Sequence, residues 1–218
     1  MKFQVIDHPQ RSPEWFAARA GRLTGSVACD MLARIKSGEA AARRDLRVRL
    51  AVERLTGLPQ EDGFINPAMQ RGIDCEPQAF AAFEAHTGEM VRRTGFLSAE
   101  GLMVGASLDG DINDFEGILE CKCPKSATHV GYLRAQGLPQ AHVAQVTHNL
   151  WVSGAKWLDF CSWDDRLPAP LHFFHVRVYA KDLDIASYEA EALKFLAEVD
   201  AEVDALKRLG APEKRAAA

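Results

Sequence analysis

The chain has 218 residues, 47% of them hydrophobic and 26% charged, which describes an ordinary globular protein with one sizeable core and excludes a disordered, fibrous or low-complexity chain. No apolar run approaches the roughly 18 to 20 residues of a membrane span, and the opening MKFQVIDHPQRS lacks the apolar core of a signal peptide, so the expectation is a single cytoplasmic domain over residues 1–218. Net charge is −4, but residues 1–58 hold 11 Lys and Arg against 6 Asp and Glu, leaving that quarter at +5 and the remainder at −9.

In chain order, Ser12-Pro13-Glu14 reads as an N-cap, a first-position proline and a first-turn acid, opening a short helix to about Arg19 that carries Trp15 and Phe16. Ser26 reads as the cap of a second helix. Residues 40–56 form a basic amphipathic helix with Leu46, Leu50 and Leu55 on one side, closed by Gly57 and Pro59. Its arginines, Arg43, Arg44 and Arg47 foremost, are candidates for holding DNA phosphates, against the plainer reading of a solvated face. Asn66-Pro67 starts a helix that stops at Gly88, with a kink or restart expected at Pro77. Three strands follow at 90–97, 102–112 and 117–123, then helices at 126–136 and 139–153, strands at 156–163 and 171–179, and a long helix at 181–208 ahead of a frayed tail at 209–218. This alternation predicts an α/β domain with a mixed central β-sheet flanked by helices.

The chemistry concentrates in Gly105 to Pro124, GASLDGDINDFEGILECKCP. Alternation along a strand puts Glu120 and Lys122 on one face and Leu119, Cys121 and Cys123 on the other. With Asn113 to Glu116 as the turn, Asp109 falls opposite Glu120, with β-carbons about 4.5 to 5.5 Å apart. Two carboxylates so placed repel unless a counter-charge holds them, and Mg²⁺ takes carboxylate, water and phosphate oxygens; the alternative is an exposed hairpin face on which Lys122 neutralises Glu120. Glu76, four and seven residues before Phe80 and Phe83, joins a buried face if its helix is continuous, or serves as a first-turn acid if the helix restarts at Pro77. The five cysteines, Cys29, Cys75, Cys121, Cys123 and Cys161, form no CxxC pair and read as reduced thiols. His142 and His148 lack an HExxH or His-x-His partner and read as structural or DNA-contacting.

An Asp, ten residues, then Glu-x-Lys resembles the core of the PD-(D/E)xK nuclease superfamily, with its restriction-endonuclease-like fold, although Leu108 stands where a proline is usual. Together with RSPEWFAARAGRLTGS (11–26), RGIDCEPQAFAAFE (71–84) and AQVTHNLWVSGAKWLDFCSWD (144–164), the chain resembles the lambda exonuclease and YqaJ-type viral recombinase family over about residues 11–164. The resemblance implies an alkaline exonuclease of phage recombination, degrading one strand of double-stranded DNA from its 5′ end with Mg²⁺, for which Mn²⁺ can substitute. It implies Asp109, Glu120 and Glu76 as metal-site acids, the Cys121 carbonyl as a further ligand, Lys122 and Gln145 as catalytic, and Arg19, Ser26 and Ser107 as a 5′-phosphate pocket. It further implies a homotrimer, a single-strand annealing protein as partner, and the host cytoplasm if the chain is phage-encoded. Two other readings stay open: another nuclease of the same core, from repair or CRISPR systems, and a catalytically inactive DNA-end-binding protein. The iron–sulfur nucleases of that core need four cysteine ligands, and a carboxy-terminal Cys cluster is missing.

Overall fold

The computed structural model describes residues 1–60 and 66–210. Strand β1 (Phe3–Ile6), helix α1 (Pro13–Arg19), strand β2 (Leu23–Thr24), a 3-10 turn at Gly25–Val27 and helix α2 (Ala28–Met31) lead to helices α3 (Ala41–Thr56) and α4 (Pro67–Thr87). Strands β3 (Phe96–Ala99), β4 (Val104–Ser107), β5 (Gly110–Ile112) and β6 (Gly117–Lys122) follow, then helix α5 (Ser126–Ala135), a 3-10 turn at Gln140–His142 and helix α6 (Val143–Ser153). Strands β7 (Trp157–Trp163) and β8 (Phe173–Tyr179) precede helix α7 (Ile185–Leu209). The expected tail lies outside the described residues from position 211 onward.

The helix termini follow local chemistry. The Ser12 side chain accepts the Trp15 N–H and Asn66 accepts that of Met69, each ahead of a proline, while α3 and α4 stop at Gly57 and Gly88 in the left-handed conformation. Ser26 does not cap: it lies inside the 3-10 turn, and its hydroxyl is engaged by Arg19 and Thr24. Helix α4 is continuous through Pro77. Packing of Ala79, Phe80 and Phe83 against the sheet offsets the lost backbone bond, so Glu76 sits mid-helix and is no first-turn acid.

The mixed sheet is present as two four-stranded sheets, β1-β3-β4-β2 and β5-β6-β7-β8. In the first, β2 runs parallel to β4; in the second, β6 and β7 are parallel and β5 and β8 add antiparallel edges. The strand expected at 102–112 therefore divides. Its first half, β4, joins one sheet and its second half, β5, the other, with Leu108 and Asp109 as the crossing. Leu108, where a proline is usual, is buried in the main core, and its carbonyl accepts a hydrogen bond from Gln10 Nε2 at 3.3 Å. The strand expected at 90–97 begins only at Phe96, with Arg92 making an isolated bridge to Asp111.

Strand β6 has two apolar faces, because both sides of its sheet are covered. Ile118 joins the main core with Val146, Leu150 and Phe160, while Leu119 and Cys121 pack with Phe80 and Phe83 of α4 and with Cys161 of β7. The five cysteines are free thiols. Helix α6 is fixed through His148, whose Nδ1 is 2.7 Å from the Tyr188 hydroxyl and whose Nε2 is 2.9 Å from the Gly105 carbonyl. The carbonyl can only accept, so Nε2 carries the proton and Nδ1 accepts from the tyrosine. His148 is thus a structural residue.

The basic helix needs correction. Arg43 is 6% exposed and lies 2.9 Å from Glu198 of α7; Arg47 pairs with Glu39 and with Glu202 of α7; Arg54 pairs with Asp200 of α7 at 2.6 Å. Arg44 alone of the three DNA candidates points outward, beside Asp45. An amphipathic helix facing an acidic one has its charge spent internally, so Arg43 and Arg47 are not free to hold phosphates.

Two outcomes follow from this packing. Arg43→Ala should lower unfolding free energy in urea by about 2 kcal/mol, since Glu198 loses a nearly buried partner, whereas Arg44→Ala should stay within about 0.5 kcal/mol. Burial pushes the His148 imidazole down to about 4, against the opposing bond to Gly105. The unfolded chain then takes up a proton near pH 6.5 that the folded one refuses, so stability is full above about 6.5 and declines as the pH falls towards 4. His148→Gln should flatten that part of the stability–pH curve.

Candidate active site

The site lies where β6 ends, between the crossing at Leu108–Asp109 and helices α4 and α6. The β5–β6 ladder pairs Ile112 with Gly117 and Gly110 with Leu119, which is the register expected from the Asn113–Glu116 turn. The ladder stops one step short of Asp109 and Glu120. Two like charges directly opposite would be unfavourable, and Asp109 leaves the ladder so that its Oδ2 accepts the Cys121 N–H at 2.6 Å.

Glu120 is 2% exposed and fully engaged from one side. Its Oε1 accepts from Lys122 Nζ and from Gln145 Nε2 at 2.7 Å; its Oε2 accepts from Asn149 Nδ2 at 3.1 Å. Gln145 and Asn149 are one turn apart on α6 and so share a face. Asn149 is a positioning residue that sequence reasoning missed. The i, i+4 spacing from Gln145 was the available signal. Gly25 makes room for both: a Cβ there would lie 2.4 Å from Asn149 Oδ1 and 3.3 Å from Gln145 Cγ.

A cleft of about 380 Å³ opens beside these groups, lined by Glu76, Asp109, Cys121 and Lys122 together with Tyr132 and His142. Glu76 reaches it from α4 and pairs with Arg93 at 3.0 Å. Nearer its amino terminus the helix is held in place by Arg71, 3.1 Å from the buried Asp164 just after β7. Burial, and then the Glu120 charge, push the Asp109 carboxyl up to about 7. Burial also works against the Lys122 charge, but the Glu120 and Asp109 carboxylates outweigh it and hold the ammonium above its ordinary range. Lys122 is therefore a cation at neutral pH in this arrangement, suited to stabilising negative charge rather than to taking up a proton. Burial, and secondarily Lys122, push His142 down to about 4, and its Nε2 meets the Tyr132 hydroxyl at 2.9 Å.

The donor set fits a hard divalent cation. Asp109, Glu120 and Glu76 supply oxygen only, and burial first, then the neighbouring Glu120 charge, makes ionised Asp109 unfavourable unless a counter-charge is present. Glu120 uses three of about four lone-pair directions, leaving one open. Among the described residues no three His, Cys, Asp or Glu side chains are grouped closely enough to hold a metal ion by themselves. Mg²⁺ does not require such a group, since it keeps waters and substrate phosphate in its remaining positions. Asp111, two residues beyond Asp109, is not part of the site: it is buried in a bidentate pair with Arg92, both bonds 3.0 Å.

A second cluster adjoins the first. Arg19 donates to Ser107 Oγ at 2.6 Å, to Ser26 Oγ at 3.3 Å and to Thr24 Oγ1 at 3.5 Å, and its guanidinium lies 4.2 Å over the Trp15 ring. The structure thus gathers Arg19, Ser26 and Ser107, and adds Thr24, which the sequence did not flag. Trp15 is buried and supports the guanidinium. Ser107 ends β4 two residues before Asp109, about 7 Å along an extended chain. The basic trio Arg43, Arg44 and Arg47 does not join either cluster.

A family profile described as the YqaJ-like viral recombinase domain matches residues 14–156. The solved alkaline exonuclease LHK-Exo from Laribacter hongkongensis is 37% identical, with a TM-score of 0.81 over 91% of this chain and 97% of that one. The structure of LHK-Exo in complex with dAMP gives 0.82 at the same identity and coverage. A phage related exonuclease from Haemophilus somnus 129PT, 11% identical, agrees in fold alone, with a TM-score of 0.66 over 87% of this chain and 96% of that one. Comparison with curated proteins finds no match. A family profile spanning well over half of the chain, and a relative this similar over nearly its whole length, establish that the chain belongs to the YqaJ-like viral recombinase family.

Proposed function

We propose that this nuclease is a Mg²⁺-dependent exonuclease that degrades one strand of double-stranded DNA in the 5′ to 3′ direction from its ends, in phage-type recombination or end processing. The observation that carries the reading is the bond from Arg19 to Ser107, two residues before Asp109: a cluster suited to a terminal phosphate adjoins the carboxylates. A guanidinium offers a planar fork to phosphate oxygens, and the Ser26, Ser107 and Thr24 hydroxyls can rotate to donate. An end seated there presents a phosphodiester a short step further along the strand to Asp109 and Glu120. The dAMP bound by LHK-Exo is the kind of nucleotide such cleavage would release, which supports the same reading for this chain.

Asp109, Glu120 and Glu76, with the Cys121 carbonyl, would hold Mg²⁺ or Mn²⁺, which when bound offsets the charge of the scissile phosphate and lowers the pKa of the attacking water. Lys122, already an ammonium, stabilises negative charge developing on the phosphate oxygens. Gln145 orients through its amide, holding Glu120 and reaching towards the position of the water. Water adds to the phosphorus and the bond to the 3′ oxygen breaks; the released nucleotide keeps the terminal 5′ phosphate it already carried and gains a 3′ hydroxyl, while the attacked phosphate stays as the new 5′ phosphate of the strand. Action as one domain in the cytoplasm, assembly as a homotrimer and pairing with a single-strand annealing protein belong to the same reading and rest on family membership. Of Arg43, Arg44 and Arg47, Arg44 remains a candidate DNA contact.

Linear duplexes labelled at either end, with and without a 5′ phosphate, test the proposal. Release is expected only with Mg²⁺, only from the 5′-ended strand, and faster on phosphorylated ends; release that persists in EDTA would overturn it. Arg19→Ala should remove most of the phosphate preference, a change of about 10- to 150-fold. Lys122→Ala should abolish turnover and also lower Tm, because the buried Glu120 loses one of its three donors. Gly25→Ala should reduce kcat more than DNA affinity, because the new methyl group displaces Asn149 and Gln145 from Glu120.

A further inference from the structure

Arg11 occupies an unusual backbone position. Residues Pro9 to Ser12 form a turn closed by the Ser12 N–H donating to the Pro9 carbonyl at 3.0 Å, and Arg11 takes its third position at φ 68°. Turns with a left-handed third residue favour glycine there, occasionally asparagine, because a Cβ crowds the backbone. Neither neighbour is free to relax it. Gln10 is tied to the Leu108 carbonyl, beside Asp109, and Ser12 caps α1. Non-glycine residues held in this region collect at ligand-binding positions, where the side chain has a use that glycine could not serve.

The surroundings indicate that use. A second hollow of about 310 Å³, bounded by His8, Arg93 and Thr94, shares Gln10, Arg11, Glu76 and Asp109 with the 380 Å³ cleft. Arg11 therefore stands on the divide between the two, over the metal-site acids. It is exposed, and among the described residues it forms no ion pair and no side-chain hydrogen bond. A strand of DNA that runs through both hollows across these acids passes beside Arg11. We infer that Arg11 grips a backbone phosphate of the strand being degraded and so aligns the scissile bond. This rests on the nuclease reading above and adds a contact to it.

Duplex binding in EDTA, with a 5′-phosphorylated end and a titration of salt, separates the possibilities. Arg11→Gly suits the turn and should match or exceed the wild-type Tm, yet weaken binding about tenfold and reduce the salt slope by about 0.9, the contribution of one phosphate contact. Arg11→Lys should keep the wild-type slope. If Arg11→Gly binds with wild-type affinity and slope, or if Arg11→Lys shows the same shallower slope as Arg11→Gly, the inference is overturned. The binding readout does not depend on catalysis. A wild-type protein that releases no nucleotides with Mg²⁺ would overturn the nuclease reading alone, and the salt slopes would still decide the role of Arg11.

Discussion

A buried carboxylate must be held by hydrogen bonds or by charge, and the site is organised around that requirement at Glu120. Burying the ionised form unpaired would cost several kcal/mol, more than a surface contact returns. Helix α6 meets the requirement by presenting Gln145 and Asn149 on one face, and β6 contributes Lys122 two residues further on. Those needs place α6 against the sheet, which in turn explains why His148, between the two amides, is fastened to Gly105 and Tyr188. Asp109 then adds a second negative charge that these donors do not satisfy, and that excess is what a divalent cation would meet.

Much of this was legible in the chain. Hairpin register follows from turn length and alternation, so the pairing of Gly110 with Leu119 and the two-faced character of β6 could be counted from the sequence. Caps such as Ser12 and Asn66 are local, and local signals read well. What stayed hidden depends on distant segments. The division between the sheets at Leu108–Asp109 has no turn residue to mark it, since Leu108 simply continues an apolar run into the core. Neither β1 nor β2 was foreseen, because four residues and two residues are too short to carry a clear periodicity. In the site, the motif acids, Lys122 and the Arg19, Ser26 and Ser107 group come together, whereas Asn149 and Thr24 matter only through what the fold brings to them.

The basic helix is instructive for another reason. A run of arginines in an acidic protein suggests an external polyanion, but composition does not distinguish a polyanion from a neighbouring helix. Glu198, Asp200 and Glu202 of α7 fall at spacings that meet Arg43, Arg54 and Arg47 across the seam between the two helices. The asymmetry between the basic first quarter and the acidic remainder is thus partly internal complementarity. Arg11 and Arg19 lie outside that seam, each placed by its own local structure.

The crossing between the sheets has a consequence for measurement of distance. Ser107 belongs to one sheet and Glu120 to the other, and the chain joins their neighbourhoods through Leu108 and Asp109 alone. The interval between the Arg19 cluster and the acids is therefore set in part by the number of residues in that link, alongside α6, which is bonded to both Gly105 and Glu120. Leucine can stand in for proline there because it keeps the count. Gaining or losing a single residue would instead shift the ruler, so that a captured end would present the wrong bond. In this fold the increment of each cut would depend in part on chain length at one point.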